Sequence, residues 1–199
     1  MKTKRILLIL FVICITFSAC DATIQKSSSL KKFQYSISAT FSETDTSSFE
    51  NRLSVCELDI VEHSTKNEEH YFVLYSSHRW DEDCLKLLGQ NFEAYVVDED
   101  GNTLVTGADV LQMQYSNLSL DLTLSADLSK KLQEECDTRT LSLVVDGSIT
   151  NAAAYFDNAE RLSFAIPRED GPADLYKAVI AFSKAPLTEE IEIEVLPLK

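Results

Sequence analysis

Two of the three histidines lie close enough in the sequence to suggest a metal site. His63 and His70 flank a polar run, 64–69, that is typical of a hairpin turn. A hairpin would bring the two imidazoles together, and nearby carboxylates from Glu62, Glu68 or Glu69 could complete a zinc-type ligand set. Solvated hairpin residues produce the same pattern, and short matches of this kind are often coincidental. We therefore predict no metal site here.

The sequence offers little support for catalysis. It contains no Gly-x-Ser-x-Gly elbow, no His-Glu-x-x-His, no phosphate-binding glycine loop and no Cys-x-x-Cys. The run from Asp98 to Asn102 begins like a calcium loop, but the later glutamate is missing and a hairpin turn accounts for each residue. We predict a protein that is not an enzyme and needs no cofactor.

Aromatic residues in the first half form the best candidate for a binding site. Tyr71, Tyr75 and Trp80, with Phe72 among them, could line an apolar groove for an extended peptide. Packing in the core is the commoner use of such residues. Tyr71, Tyr75 and Trp80 remain the candidate residues of a peptide groove.

The N-terminus predicts export and a lipid anchor. Residues 1–19 combine a basic start with an apolar run too short to span a bilayer, as in a signal peptide. The sequence Phe17-Ser18-Ala19-Cys20 resembles the cleavage box of bacterial lipoproteins, in which the new N-terminal cysteine is acylated, for example with palmitate. We predict that Cys20 anchors the protein on the outer side of a membrane in the bacterial envelope. Residues 20–32, rich in serine and lysine, would form a flexible tether.

The charge of the chain excludes some partners. The formal net charge is −14, and removal of Lys2, Lys4 and Arg5 with the signal peptide makes it −17. Such a surface argues against nucleic acid and anionic lipid headgroups as ligands.

Hydrophobic periods predict an α+β protein. Residues 33–41 alternate as a first strand, Ser47 and Glu50 suggest a capped helix, and residues 56–60 alternate as a second strand. The run 70–75 is apolar on both faces, which favours a central strand. A helix capped by Asp81 and a strand at 92–97 complete a β-α-β-β-α-β, ferredoxin-like unit.

The second half changes its hydrophobic period twice within one span. Leu118 to Leu124 alternate as a strand, Ser125 can cap a helix that carries Leu128, Leu132 and Cys136, and Leu141 to Val145 alternate again before Asp146-Gly147. A strand at 162–166, a helix opening at Gly171-Pro172 and a last strand near 189–196 follow.

The order of these motifs resembles the first periplasmic domain of the SecD/SecDF protein-export family. The similarity runs through Phe49-Glu50-Asn51-Arg52-Leu53, Cys84 to Gly89, Phe92 to Asp98, Thr103 to Asp109 and Val144 to Ile149. The resemblance implies a ferredoxin-like base of residues 33–107, completed by strand 189–196, and a second α+β head subdomain of residues 108–188. It further implies a non-catalytic extracytoplasmic module that binds unfolded polypeptide or an envelope partner. A structural or surface-displayed lipoprotein with no export role is the alternative.

The predicted topology also brings two cysteines together. Cys56 at the start of the second strand and Cys84 in the first turn of the second helix would lie at one end of the base. We predict a possible disulfide between them, with three reduced core thiols, including Cys136, as the alternative.

Overall fold

The first sheet includes the strand predicted from the hydrophobic alternation at residues 33–41. The computed structural model describes residues 33–116, 119–136, 140–158, 160–166 and 171–198. The predicted signal peptide, Cys20 and tether lie outside the described residues. Strands β1 (Phe33–Thr40), β2 (Asp59–Lys66), β3 (Glu69–Ser76) and β12 (Ile193–Leu196) form an antiparallel sheet in the order β12-β1-β3-β2. The run at 70–75 is thus an inner strand, as predicted.

One face of this sheet is buried under helix α1 (Glu43–Val55). Phe49 on α1 packs on Phe41 and Phe72, with ring centroids 5.1 and 5.4 Å apart, and Ile37 beside them is fully buried. A short helix, α2 (Glu82–Lys86), follows β3, and a 3-10 turn extends it to Gly89. As predicted, Asp81 caps α2, since its Oδ1 accepts from the Cys84 amide at 2.8 Å.

Two further antiparallel sheets complete the fold. The second contains β4 (Ala94–Val97), β5 (Thr103–Val105), β8 (Ser142–Val145) and β9 (Ser148–Ile149) in the order β5-β4-β8-β9. The third contains β6 (Gln112–Ser116), β7 (Ser119–Thr123), β10 (Ala153–Asn158) and β11 (Arg161–Ala165) in the order β10-β11-β7-β6. Helix α3 (Ala126–Cys136) follows β7 in the chain, and helix α4 (Gly171–Phe182) follows β11. The chain is therefore α+β, as predicted.

Local signals in the second half are confirmed. Ser125 Oγ accepts from the Leu128 amide at 3.3 Å at the start of α3. Asp146 and Gly147 both have positive φ, 51° and 73°, and Val145 faces Ser148, so they form the two-residue hairpin turn.

Three predictions for the first half are wrong. The strand at 92–97 was expected in the first sheet, yet β4 pairs with β5 and β8 in the second. Helix α1 begins at Glu43 rather than near Ser47, and Cys56 is its C-cap residue rather than a strand residue. Because α1 extends to Val55 and Cys56 is its C-cap residue, β2 begins at Asp59 rather than at Cys56.

The second sheet joins strands from both sides of the predicted boundary at 107/108. Ala94 to Val97 of β4 pair in register with Ser142 to Val145 of β8, so the boundary passes between strands that are hydrogen-bonded to each other. The division into 33–107 and 108–188 stays a prediction.

No helix among the described residues from 33 onward is long and apolar enough to cross a bilayer.

Candidate functional site

The face of the first sheet opposite α1 presents alternating residues of β3. His70, Phe72 and Leu74 point into the core, whereas Tyr71, Val73 and Tyr75 are only half-buried. Strand pairing sets their neighbours, because residues opposite each other in a sheet share a face. We call this surface the open face.

Two rows of residues cross the open face. One runs from Leu196 through Ser36 and Val73 to Glu62. The other runs from Glu194 through Ser38 and Tyr71 to Ser64, and the two lie about 7 Å apart because they are two residues apart along each strand. At its centre, the open face therefore carries Val73 and Tyr71 beside Ser36 and Ser38.

A groove of about 560 Å³ lies on the open face at the first row. Val73 and Leu196 lie in the groove, where Pro197 and Leu198 continue the apolar surface, and Leu198 is 54% exposed. The remaining lining residues are Gln34, Ser36, Glu62 and Tyr71. Large apolar side chains that stay accessible at a concave surface are typical of a binding site.

Carboxylates border the groove beyond Tyr71. Interaction with the Glu69 carboxylate raises the pKa of Tyr71, and burial and the charge of Glu194 raise it further. Glu62 lies on the opposite side, on β2. The groove therefore has an apolar floor and a negative rim.

Trp80 does not belong to this site. It was predicted beside Tyr71 and Tyr75, but its side chain is only 3% exposed and stacks on Tyr176 of α4, with ring centroids 3.8 Å apart. Its amide donates to the Tyr35 hydroxyl at 2.7 Å. Trp80 therefore packs in the core, whereas Tyr71 and Tyr75 share the open face.

The side chains of His63 and His70, on the two strands of the β2–β3 hairpin, are in contact. His63 Nε2 and His70 Nδ1 are 3.0 Å apart, and His63 Nδ1 lies 3.4 Å from Glu50 of α1. His70 is buried and stacks on Phe41 at 3.9 Å, so the prediction of solvated hairpin residues is wrong for it. Burial lowers its pKa and the charge of His63 lowers it further, while the Phe41 backbone and the carboxylates of Glu50 and Glu43 oppose the shift.

Among the described residues, no group of three or more histidine, cysteine or acidic side chains is placed to hold a metal ion. In the turn that resembled a calcium loop, the Asp98 carboxylate accepts from the amides of Asp100 and Asn102 and from the Asn102 side chain. These bonds close a hairpin turn.

Cys56 and Cys84 are free, buried thiols in the structure, so the predicted disulfide is absent from it. Burial raises the pKa of each thiol to about 12, and both side chains belong to the apolar core. The side chain of Cys136 lies outside the described residues.

A buried arginine holds the segment that leads to β12. Arg52 is 1% exposed and donates to the carbonyls of Ala185, Leu88 and Gln90 and to the side chain of Asn91. From the sequence, Arg52 was singled out only as part of the motif from Phe49 to Leu53. Its position one turn after Phe49, on the apolar side of α1, was the available signal, because an arginine there must find buried acceptors.

Neighbouring bonds reinforce the same junction. Asn91 exchanges two hydrogen bonds with the backbone of Leu187, and the Asp45 carboxylate accepts from the Thr188 amide and hydroxyl, which lowers the pKa of Asp45. The Ile191 amide then donates to Gly89 at 2.7 Å. These contacts set the register in which β12 brings Leu196 to the groove.

Comparisons with known proteins place the chain in no family. No protein-family model matches it, and no curated protein matches it in sequence. Among solved structures, a crystal structure of SecDF in a super-membrane-facing form is similar over 98% of this chain, with 17% identity and a TM-score of 0.43. The chain spans about a third of that protein's length, since 34% of it is covered.

Proposed function

We propose that this protein is a non-catalytic, lipid-anchored module of the bacterial envelope that binds extended polypeptide on the open face. The observation that carries the proposal is the groove on that face, where Val73 and Leu196 remain accessible in a concave surface. Domains that bind extended peptides often do so at a β-sheet, where pockets receive alternate side chains of the peptide.

The sheet order supports the ferredoxin-like part of the proposal. A split β-α-β-β-α-β unit has its last strand beside the first and its third strand between the first and second. The order β12-β1-β3-β2 fits that pattern when β12 is taken as the last strand. We propose that this sheet, with α1 and α2, is the base, and that the remaining elements form the head subdomain of a SecD-like module.

The anchor would keep the groove near the membrane. Acylated Cys20 and a tether to residue 32 would hold β1 a short distance from the bilayer, where exported chains emerge in extended form. An export partner in the envelope is an equally suitable source of an extended segment.

Binding to an unfolded polypeptide tests the proposal. The purified full chain in mild detergent is titrated into fluorescently labelled lysozyme that has been reduced and carbamidomethylated, and anisotropy is recorded. We expect saturable binding that Val73→Ser weakens about tenfold, because burying an aliphatic side chain contributes about 1.5 kcal/mol or more. Tyr155→Ser is the matched control, since Tyr155 is 46% exposed on β10, away from the open face.

Absence of saturable binding would contradict the proposal and favour a structural lipoprotein with no binding role. Equal weakening by the two variants would instead place the binding surface elsewhere.

A further inference from the structure

The open face carries a spatial pattern of apolar and acidic groups that specifies more than a generic peptide. Val73 and Leu196 lie in the first row on either side of Ser36, about 10 Å apart across β1. Glu194 lies two residues from Leu196 along β12, and Glu69 lies four residues from Val73 along β3. At about 3.4 Å per residue, Glu194 and Glu69 lie about 7 and 14 Å along their strands from the first row.

The two carboxylates act at one place on the face. Glu69 and Glu194 line the same depression of the surface, and both raise the pKa of Tyr71. Glu82 and Glu192 also line this second depression, with Lys86 as a cation. The Lys86 ammonium lies 2.8 Å from Glu82, which leaves an excess of negative charge beside the groove.

From this pattern, and resting on the proposed function, we infer that the groove selects extended polypeptide in which an apolar residue is followed or preceded by lysine or arginine two to four residues away. The apolar side chain would occupy the pocket between Val73 and Leu196. The cation would lie near Glu194 and Glu69.

For an extended ligand, it matters whether the number of residues from the apolar side chain to the cation is even or odd. Successive side chains of a strand point to opposite faces, so residues separated by an even number face the same way. A cation two or four residues from the apolar anchor can face the carboxylates. A cation three residues away points to solvent.

Short peptides of identical composition test the rule. One series places a single lysine two or four residues from a single central leucine, and the other places it three residues away, with both chain directions included. Affinities for the full chain in detergent are measured by fluorescence anisotropy at low and at physiological salt. We expect the even-spaced peptides to bind about fivefold more tightly at low salt, as one exposed ion pair allows, and the difference to shrink as salt rises.

Reversing the charge at position 194 tests the same inference independently through peptide affinity. Glu194→Lys should weaken the even-spaced lysine peptide about tenfold and strengthen a peptide with glutamate at that position. Glu134→Lys is the matched control, because it makes the same change at an exposed position of α3. It should leave both peptides unchanged.

The outcomes separate the inference from the proposed function. Equal affinity for even-spaced, odd-spaced and glutamate peptides, with all of them weakened by Val73→Ser, would overturn the charge rule and keep peptide binding. No binding of any peptide or of unfolded lysozyme would overturn both. If Glu194→Lys and Glu134→Lys changed peptide affinity equally, the carboxylates at the groove would attract cations only non-specifically, and the inference would be overturned.

Discussion

Arg52→Met removes a guanidinium that holds three chain segments together while keeping most of the aliphatic stem. The wild-type group donates to Ala185 and Leu88 at 2.6 and 3.0 Å, and also to Gln90 and Asn91. Methionine would leave the carbonyls of the buried residues Ala185 and Leu88 without this donor. Each such bond to a charged donor contributes about 1.5–3 kcal/mol, but the contributions do not add, because burying the guanidinium has its own cost.

We expect Arg52→Met to lower the free energy of unfolding by about 3–5 kcal/mol, the range for removing one member of a buried charged network. For a domain of this size that corresponds to a fall in Tm of about 10 °C. Arg52→Lys should be intermediate, because one ammonium retains the charge but does not reach the acceptors on both segments, 88–91 and Ala185. Urea unfolding followed by far-UV circular dichroism measures both.

Lys130→Met serves as the matched control, since Lys130 is exposed on α3 and loss of a surface cation there should change stability by about 0.5 kcal/mol or less. A loss below about 1 kcal/mol for Arg52→Met would refute the reasoning. It would mean that the stem, rather than the hydrogen bonds, holds the junction.

Four other expectations concern separate parts of the molecule. Because burial lowers the pKa of His70, its protonation favours the unfolded state, so stability should fall as pH drops below about 6.5, and His70→Gln should flatten that slope in pH-dependent urea titrations. Cys56 and Cys84 should resist alkylation in the native protein at pH 8 and react in denaturant without reductant; peptides alkylated only after reduction would instead show a disulfide. The isolated fragment 108–188 should show no cooperative thermal unfolding, because it lacks β4, the partner of β8. Mass spectrometry of the mature N-terminus should find acylated Cys20, and an unmodified peptide starting elsewhere would contradict lipidation.

Elements with a strong local signal were predictable from the sequence. The alternation of Leu120, Leu122 and Leu124, the cap at Ser125 and the Asp146-Gly147 turn each depend on neighbouring residues alone, and the structure confirms them. Alternation shows which face of a strand is buried. It does not identify the partner strand.

This limit explains the misplaced strand at 92–97. The sequence from Ala94 to Val97 suits a strand in either sheet. Its observed partner, Ser142 to Val145, lies nearly fifty residues later in the chain, so local sequence does not reveal it. The boundary of α1 failed for a different reason. Ser42, the observed N-cap residue, makes no side-chain capping bond, whereas Ser47 with Glu50 three residues later matched the capping-box pattern in the sequence.

The candidate site was predictable in part. Tyr71 and Tyr75 were found because they are aromatic and share one parity of a strand that is apolar on both faces. Val73 has the same parity and could have been found by the same argument. Trp80 was misplaced because its burial depends on Tyr176, ninety-six residues later, and Leu196 joins the groove only through the pairing of β12 with β1.

Photocross-linking tests the central claim most directly. A photoreactive phenylalanine analogue is placed at position 71 or, in a separate protein, at position 155, and each full chain is illuminated with labelled unfolded lysozyme. Both positions carry a partly exposed tyrosine on a sheet face, so they differ mainly in location. The account predicts a covalent adduct from position 71 that excess unlabelled polypeptide abolishes, and little adduct from position 155. Equal adducts from the two positions, or an adduct from 155 alone, would contradict it.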